Sequence, residues 1–193
     1  MNRFGRWLAV AALAASPALW AQTTVAGVTY EPDAQLAGSK LALNGAGIRT
    51  KFVFKVYTAG LYLPRKTGTA DEALALAGPK RISLTMLREV DAAEFSSAFA
   101  KGMADNNDPA SLASLAASMQ RMNQLFAGYK KLATGDAVVI EWVPGTGTTI
   151  RVRGAASGEP FKDPAFFPAL LRIWLGPAPV DASLKEALLG KQS

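Results

Sequence analysis

The chain has 193 residues, a formal charge of +6, 50% hydrophobic and 19% charged residues, and neither cysteine nor histidine. Those two absences exclude disulfide frameworks, thiol nucleophiles, thiolate and imidazole metal sites and Ser-His-Asp triads. What remains is catalysis by Asp, Glu, Lys, Arg, Tyr or Ser, hard-cation binding by oxygen ligands, or no catalysis, in a chain whose length and composition suit one globular domain.

Residues 1–21 carry Arg3 and Arg6 without an acid, an apolar run from Trp7 to Ala15, then Pro17 and Leu19-Trp20-Ala21. This layout is that of a cleaved secretory signal peptide, and the run is too short to span a bilayer. Cleavage after Ala21 leaves 19 basic residues against 15 acidic ones, a mild excess with no block of like charges. The expectation is therefore a periplasmic protein with no nucleic-acid partner and no stable membrane insertion after cleavage.

Residues 22–193 read as one domain. Thr24–Glu31 and Lys40–Leu43 are short strands, and Phe52–Leu63 is a long strand apolar on both faces, hence covered on both sides. A short helix from Thr69-Ala-Asp71 to Ala77 precedes an alternating strand, Lys80–Leu87. Asp91, with Glu94 at the reciprocal capping position, opens an amphipathic helix through Met103, and Asp108-Pro109 opens one or two more up to Lys131. Ala137–Val143 and Thr148–Arg153 form a hairpin, and Glu159–Phe161 adds a strand. Asp163-Pro164 caps a helix to Leu175, and Asp181 caps the last one. The fold class is α+β: a mainly antiparallel sheet with a layer of helices packed on one side.

Chemistry-bearing motifs are weak. Gly45-Ala46-Gly47 is followed by a strand rather than a helix, so it reads as a turn or bulge with close backbone approach, not a phosphate loop. Asp105, Asn106, Asn107 and Asp108 lack the glycine and terminal glutamate of a calcium loop and read as a capped interhelix turn. Ser96, Ser97 and Ser111 have no base at a recognisable spacing. No cofactor or metal site is implied, and no catalytic residue is assigned.

The segment Leu43 to Leu63 stands out. Arg49, beside glycines in an apolar neighbourhood, offers a guanidinium fork suited to a carboxylate, and Tyr57 offers a hydroxyl at the end of an apolar ring. The alternative is an exposed turn arginine with Tyr57 and Tyr62 as core. The two residues are eight positions apart, and even with a turn at Thr50-Lys51 they stay about 15 Å from each other.

Gly45-Ala-Gly-Ile-Arg49, Gly60-Leu-Tyr62-Leu63 and the C-terminal Ile173-Trp174-Leu175-Gly176 with Val180-Asp181 resemble the chalcone isomerase superfamily, particularly its exported bacterial members. The resemblance implies an isomerase site of arginine, threonine, tyrosine, lysine and asparagine, of which this chain keeps Arg49. Tyr57 falls at the threonine, Phe95 at the tyrosine, Ala98 at the lysine, Gly102 at the asparagine and Ile173 at a second hydroxyl-bearing position. The pattern is closer to the superfamily's non-catalytic fatty-acid-binding branch. It implies a cleft for a fatty acid or similar elongated apolar anion, with Arg49 as anchor, Tyr57 as hydrogen-bond donor, and Phe95, Phe99 and Trp174 as apolar lining. The rival readings are an intramolecular lyase or isomerase and an envelope partner-binding module exposing Trp142 or Trp174.

Overall fold

The computed structural model describes residues 22–156 and 158–191. The expected signal peptide lies outside them. Seven strands form one curled sheet in the order β11-β10-β9-β6-β5-β4-β3, every neighbouring pair antiparallel. They are β3 (Asp33–Leu36), β4 (Ser39–Lys51), β5 (Phe54–Leu63), β6 (Lys80–Met86), β9 (Ala137–Val143), β10 (Gly147–Val152) and β11 (Ala155–Ala156). A hairpin of β1 (Thr23–Val25) and β2 (Val28–Tyr30) precedes the sheet, and β7 (Val90–Asp91) pairs with β8 (Lys131–Leu132).

The described residues also form six helices: α1 (Ala70–Ala75), α2 (Ala92–Asn106), α3 (Pro109–Ser114), α4 (Ala116–Ala127), α5 (Phe166–Leu175) and α6 (Ala182–Leu188). The helix-facing side of the sheet carries Ala59, Leu61, Ile82, Leu84, Val138 and Ile140 in one continuous core with Phe95, Phe126, Phe167, Leu170 and Trp174. The other face is covered locally by the β1–β2 hairpin, which packs Tyr30 with Leu41, Leu43 and Tyr62. The expectation that β5 is covered on both sides therefore holds, with helices on one side and a small hairpin on the other.

The glycine segment takes the bulged form among its expected readings. Gly45 and Gly47 lie inside the 13-residue strand β4, on the side where α6 crosses it. A Cβ on Gly45 would overlap the Ala187 carbonyl oxygen, and one on Gly47 would sit 2.6 Å from the Ala187 Cβ. Glycine here sets a close strand-to-helix approach, as the bulge reading anticipated, and the register indeed shifts between Leu43 and Gly45. Asn44 at that shift is buried; its side chain donates to the Leu188 carbonyl at 2.7 Å and accepts from the Thr67 amide at 2.7 Å, tying β4 to the C-terminal helix.

Other boundaries moved for local reasons. The long strand begins at Phe54 because Phe52 takes φ 57° in the turn. Helix α2 runs on to Asn106, whose amide donates to the Gly102 and Ala178 carbonyls and accepts from the Ala178 amide. The region 110–131 divides into α3 and α4 at the buried Leu115, and its end becomes β8. Asp163 accepts from the Ala165 amide in a turn that leads into α5 three residues on, and Phe161 contributes one bridge to Thr148.

Candidate functional site

The β4–β5 hairpin brings Arg49 and Tyr57 together. Its chain reverses at Phe52-Val53, and the register places Arg49 directly opposite Tyr57, then Thr50 opposite Lys55, leaving Val56 as an extra residue. That bulge turns Val56 into the main core beside Tyr57, which shares the inward face of Ala59, Leu61 and Leu63. The Arg49 guanidinium carbon lies 5.4 Å from the Tyr57 ring centroid. The expected separation of about 15 Å from the strand rise is thus corrected: it assumed an earlier turn and an unbroken alternation.

Arg49 stands where two hollows meet. One, of about 330 Å³, lies between the hairpin tip and the start of α2 and includes Lys51, Phe54, Arg88, Glu94 and Phe95. The other, of about 700 Å³, lies between α2 and the segment Ala178–Val180. Arg49, Lys51, Glu94 and Ala98 border both, so they form one groove along α2. The Arg49 Nε is buried without a hydrogen-bond partner, one of few such side-chain atoms among the described residues. A buried donor left unpaired costs about 1–3 kcal/mol. Of the nearby carboxylates, Asp91 is engaged as the N-cap of α2, accepting from the Ala93 and Glu94 amides, Glu89 pairs with Lys131 at 2.7 Å, and Asp181 accepts from the Thr50 amide at 2.8 Å.

The remaining expected site residues separate into two groups. Phe95 borders the groove and packs edge-on to Tyr57 at 6.4 Å. Phe99 and Trp174 lie behind it as buried core, edge to face at 5.4 Å, and border neither hollow. Tyr57 is buried as well. Its hydroxyl accepts a hydrogen bond from the Trp174 indole N–H at 3.0 Å, so it is aimed at the core and not at the groove where the expected donor role would need it. Burial pushes the Tyr57 pKa up to about 12, against the opposing pull of the Arg49 charge and the Trp174 hydrogen bond. Trp174, fully buried, is also not the exposed docking residue considered above, and Trp142 stacks on Phe167 at 6.5 Å.

The positions of the missing isomerase groups are occupied by packing. Gly102 faces Ile173 so closely that a Cβ would come within 2.9 Å of the Ile173 Cγ2. The acidic segment considered for calcium is used structurally: Asp105 pairs with Lys101 at 2.6 Å, and Asp108 accepts from the Ser111 amide as the N-cap of α3. Sequence reasoning missed Lys51, Phe54, Arg88 and Glu94 as groove residues, because Phe52–Phe54 read as strand interior. The lysines at 51 and 55 bracketing three apolar residues were the available signal.

The site is a groove bordered by Arg49 and Arg88 beside the β4–β5 hairpin of an antiparallel sheet backed by helices. The Chalcone isomerase-like family profile matches residues 22–190, and the chain belongs to that family. Among solved structures it is similar to an Arabidopsis thaliana fatty-acid binding protein, with 15% identity, 84% of this chain and 92% of that chain covered, and a TM-score of 0.62. No curated protein matches the chain in sequence.

Proposed function

We propose that the protein is a periplasmic, non-enzymatic carrier of an elongated apolar anion, a fatty acid being the type, held in the groove along α2 with its carboxylate on Arg49. The observation that carries this reading is the buried, unpartnered Arg49 Nε at the meeting point of the two hollows. Their volumes fall in the range of small-molecule sites, about 300–1,000 Å³. Phe54, Val56, Phe95 and Ala98 give the groove an apolar wall, and the Tyr57 ring backs the guanidinium. The solved relative's description as a fatty-acid binding protein supports the ligand class. The layout of residues 1–21 supports export.

An isomerase would need positioned donors around a developing oxyanion, each worth about 3 kcal/mol. The aligned positions hold Phe95, Ala98, Gly102 and Ile173, and the Tyr57 hydroxyl is taken by Trp174. Displacement of a fluorescent fatty acid from the purified protein tests the reading, alongside native mass spectrometry of protein taken from its own periplasm. Arg49→Ala and Arg49→Gln should each weaken binding about 10-fold to 100-fold, the value of a charge-assisted hydrogen bond. Undiminished affinity in both variants would refute the anchor. Chalcone turnover abolished by Arg49→Ala would replace the carrier with an isomerase.

A further inference from the structure

The tip of the β4–β5 hairpin is an apolar point in a basic collar. Phe52, Val53 and Phe54 are 88%, 83% and 55% exposed, the large hydrophobic side chains most open to water among the described residues. They are consecutive, and they sit at the end of the two longest strands. Lys51 and Lys55 flank them directly, and the Arg88 guanidinium carbon lies 4.9 Å from the Phe54 ring centroid. No acid occurs between Lys51 and Lys55. Of the acids beyond, Glu89 is paired with Lys131, Asp91 caps α2 and Asp181 accepts from the Thr50 and Leu184 amides, while Glu94 lies farther along the groove.

This arrangement is costly in water. Phe52 holds φ 57°, a left-handed conformation that a bulky side chain adopts only under constraint and that glycine would take freely. A turn selected for stability alone would carry glycine at this position. The chain instead places two aromatic rings and a valine outward at the hairpin tip.

We infer that this hairpin tip docks the protein on an anionic lipid bilayer, Phe52, Val53 and Phe54 entering the interfacial layer while Lys51, Lys55 and Arg88 meet acidic headgroups. Apolar side chains that enter the headgroup–acyl boundary, with cations at the headgroup level, are the physical pattern of peripheral membrane binding. Docking is superficial and spans nothing; among the described residues no helix is long and apolar enough to cross a membrane. Lys51 and Phe54 also border the hollow that leads to Arg49, so a docked tip opens the groove toward the lipid surface. A second copy of the chain fits less well, because its own basic collar would face the first.

Vesicle binding tests the inference with no fatty acid present, so its failure leaves the Arg49 reading intact and a failure of Arg49 variants leaves docking intact. The purified protein is sedimented with phosphatidylcholine vesicles with and without phosphatidylglycerol. Phosphatidylglycerol vesicles should retain it, with binding weakened by salt. Phe52→Ser combined with Phe54→Ser should lower partitioning at least about 10-fold, and Lys51→Ala with Lys55→Ala about fivefold per charge. Thermal unfolding of each variant checks that the exposed substitutions leave the fold intact. Because the chain has no cysteine, Val53→Cys can carry an environment-sensitive dye at one position. That dye should shift to the blue on vesicles, while the same dye on Thr146→Cys, at the opposite end of the sheet, should not. Absence of vesicle binding, binding indifferent to the tip substitutions, or equal shifts at both positions would each overturn the inference. A dimer dissolved by Phe52→Ser in the absence of vesicle binding would overturn it in favour of self-association.

Discussion

Tyr57→Phe separates a structural hydroxyl from a ligand-binding one. In the structure that hydroxyl is buried and receives the Trp174 indole N–H at 3.0 Å. Removing it deletes one acceptor, leaves the ring packing on Phe95 and Arg49, and strands a buried N–H donor. The cost is the desolvation penalty of that donor, about 1–3 kcal/mol. For a domain of this size each kcal/mol lowers the melting temperature by about 2–4 °C, so the loss is about 2–12 °C. Urea unfolding of Tyr57→Phe, Trp174→Phe and the double variant isolates the pair. The single variants should sum to more than the double, with a coupling of about 1 kcal/mol, because the double variant leaves no orphaned donor. Fatty-acid affinity should change far less than in Arg49→Ala. A stable Tyr57→Phe protein that has lost its ligand would refute this reasoning and return the hydroxyl to the groove.

Two further outcomes follow from the same geometry. The folded-state pKa of Tyr57 lies at about 12, above the ordinary 10.0, so between these values the unfolded chain has released a proton that the native protein still holds. Stability is therefore complete below pH 10 and falls as the pH rises toward 12, by about 1.4 kcal/mol per pH unit for this group; Tyr62, also pushed up to about 12, adds in the same direction. Unfolding followed across that window should be shallower in Tyr57→Phe than in the parent, and equal slopes would contradict the burial argument. Gly45→Ala, whose Cβ would collide with the Ala187 backbone, should lose at least about 2 kcal/mol or fail to fold, while Gly68→Ala, with open space around it, should be close to neutral. Comparable stability in the two variants would show that α6 does not pack on β4 as described.

The sequence by itself determined the element order, the antiparallel sheet with helices on one side, and the capping residues. Asp91, Asp108 and Asp181 each accept from amides at the helix starts they mark. These features are local: alternation, cap chemistry and proline placement act within a few residues. The arginine and the two glycines ahead of it were also visible, since a charge among glycines in an apolar stretch has few structural uses.

Tertiary structure decided what those residues do. Tyr57 keeps the face that alternation with Ala59 and Leu61 assigns to it, but a turn at Phe52-Val53 and a single bulge at Val56 set it opposite Arg49, a result no rise-per-residue estimate anticipates. The partner that claims the Tyr57 hydroxyl, Trp174, is 117 positions away, and that distance in sequence hid the difference between a ligand donor and a core hydrogen bond. Phe52–Phe54 read as strand interior because hydrophobicity says where a side chain would prefer to be. Only the turn in the folded chain left these three in water, at the mouth of the groove that leads to Arg49.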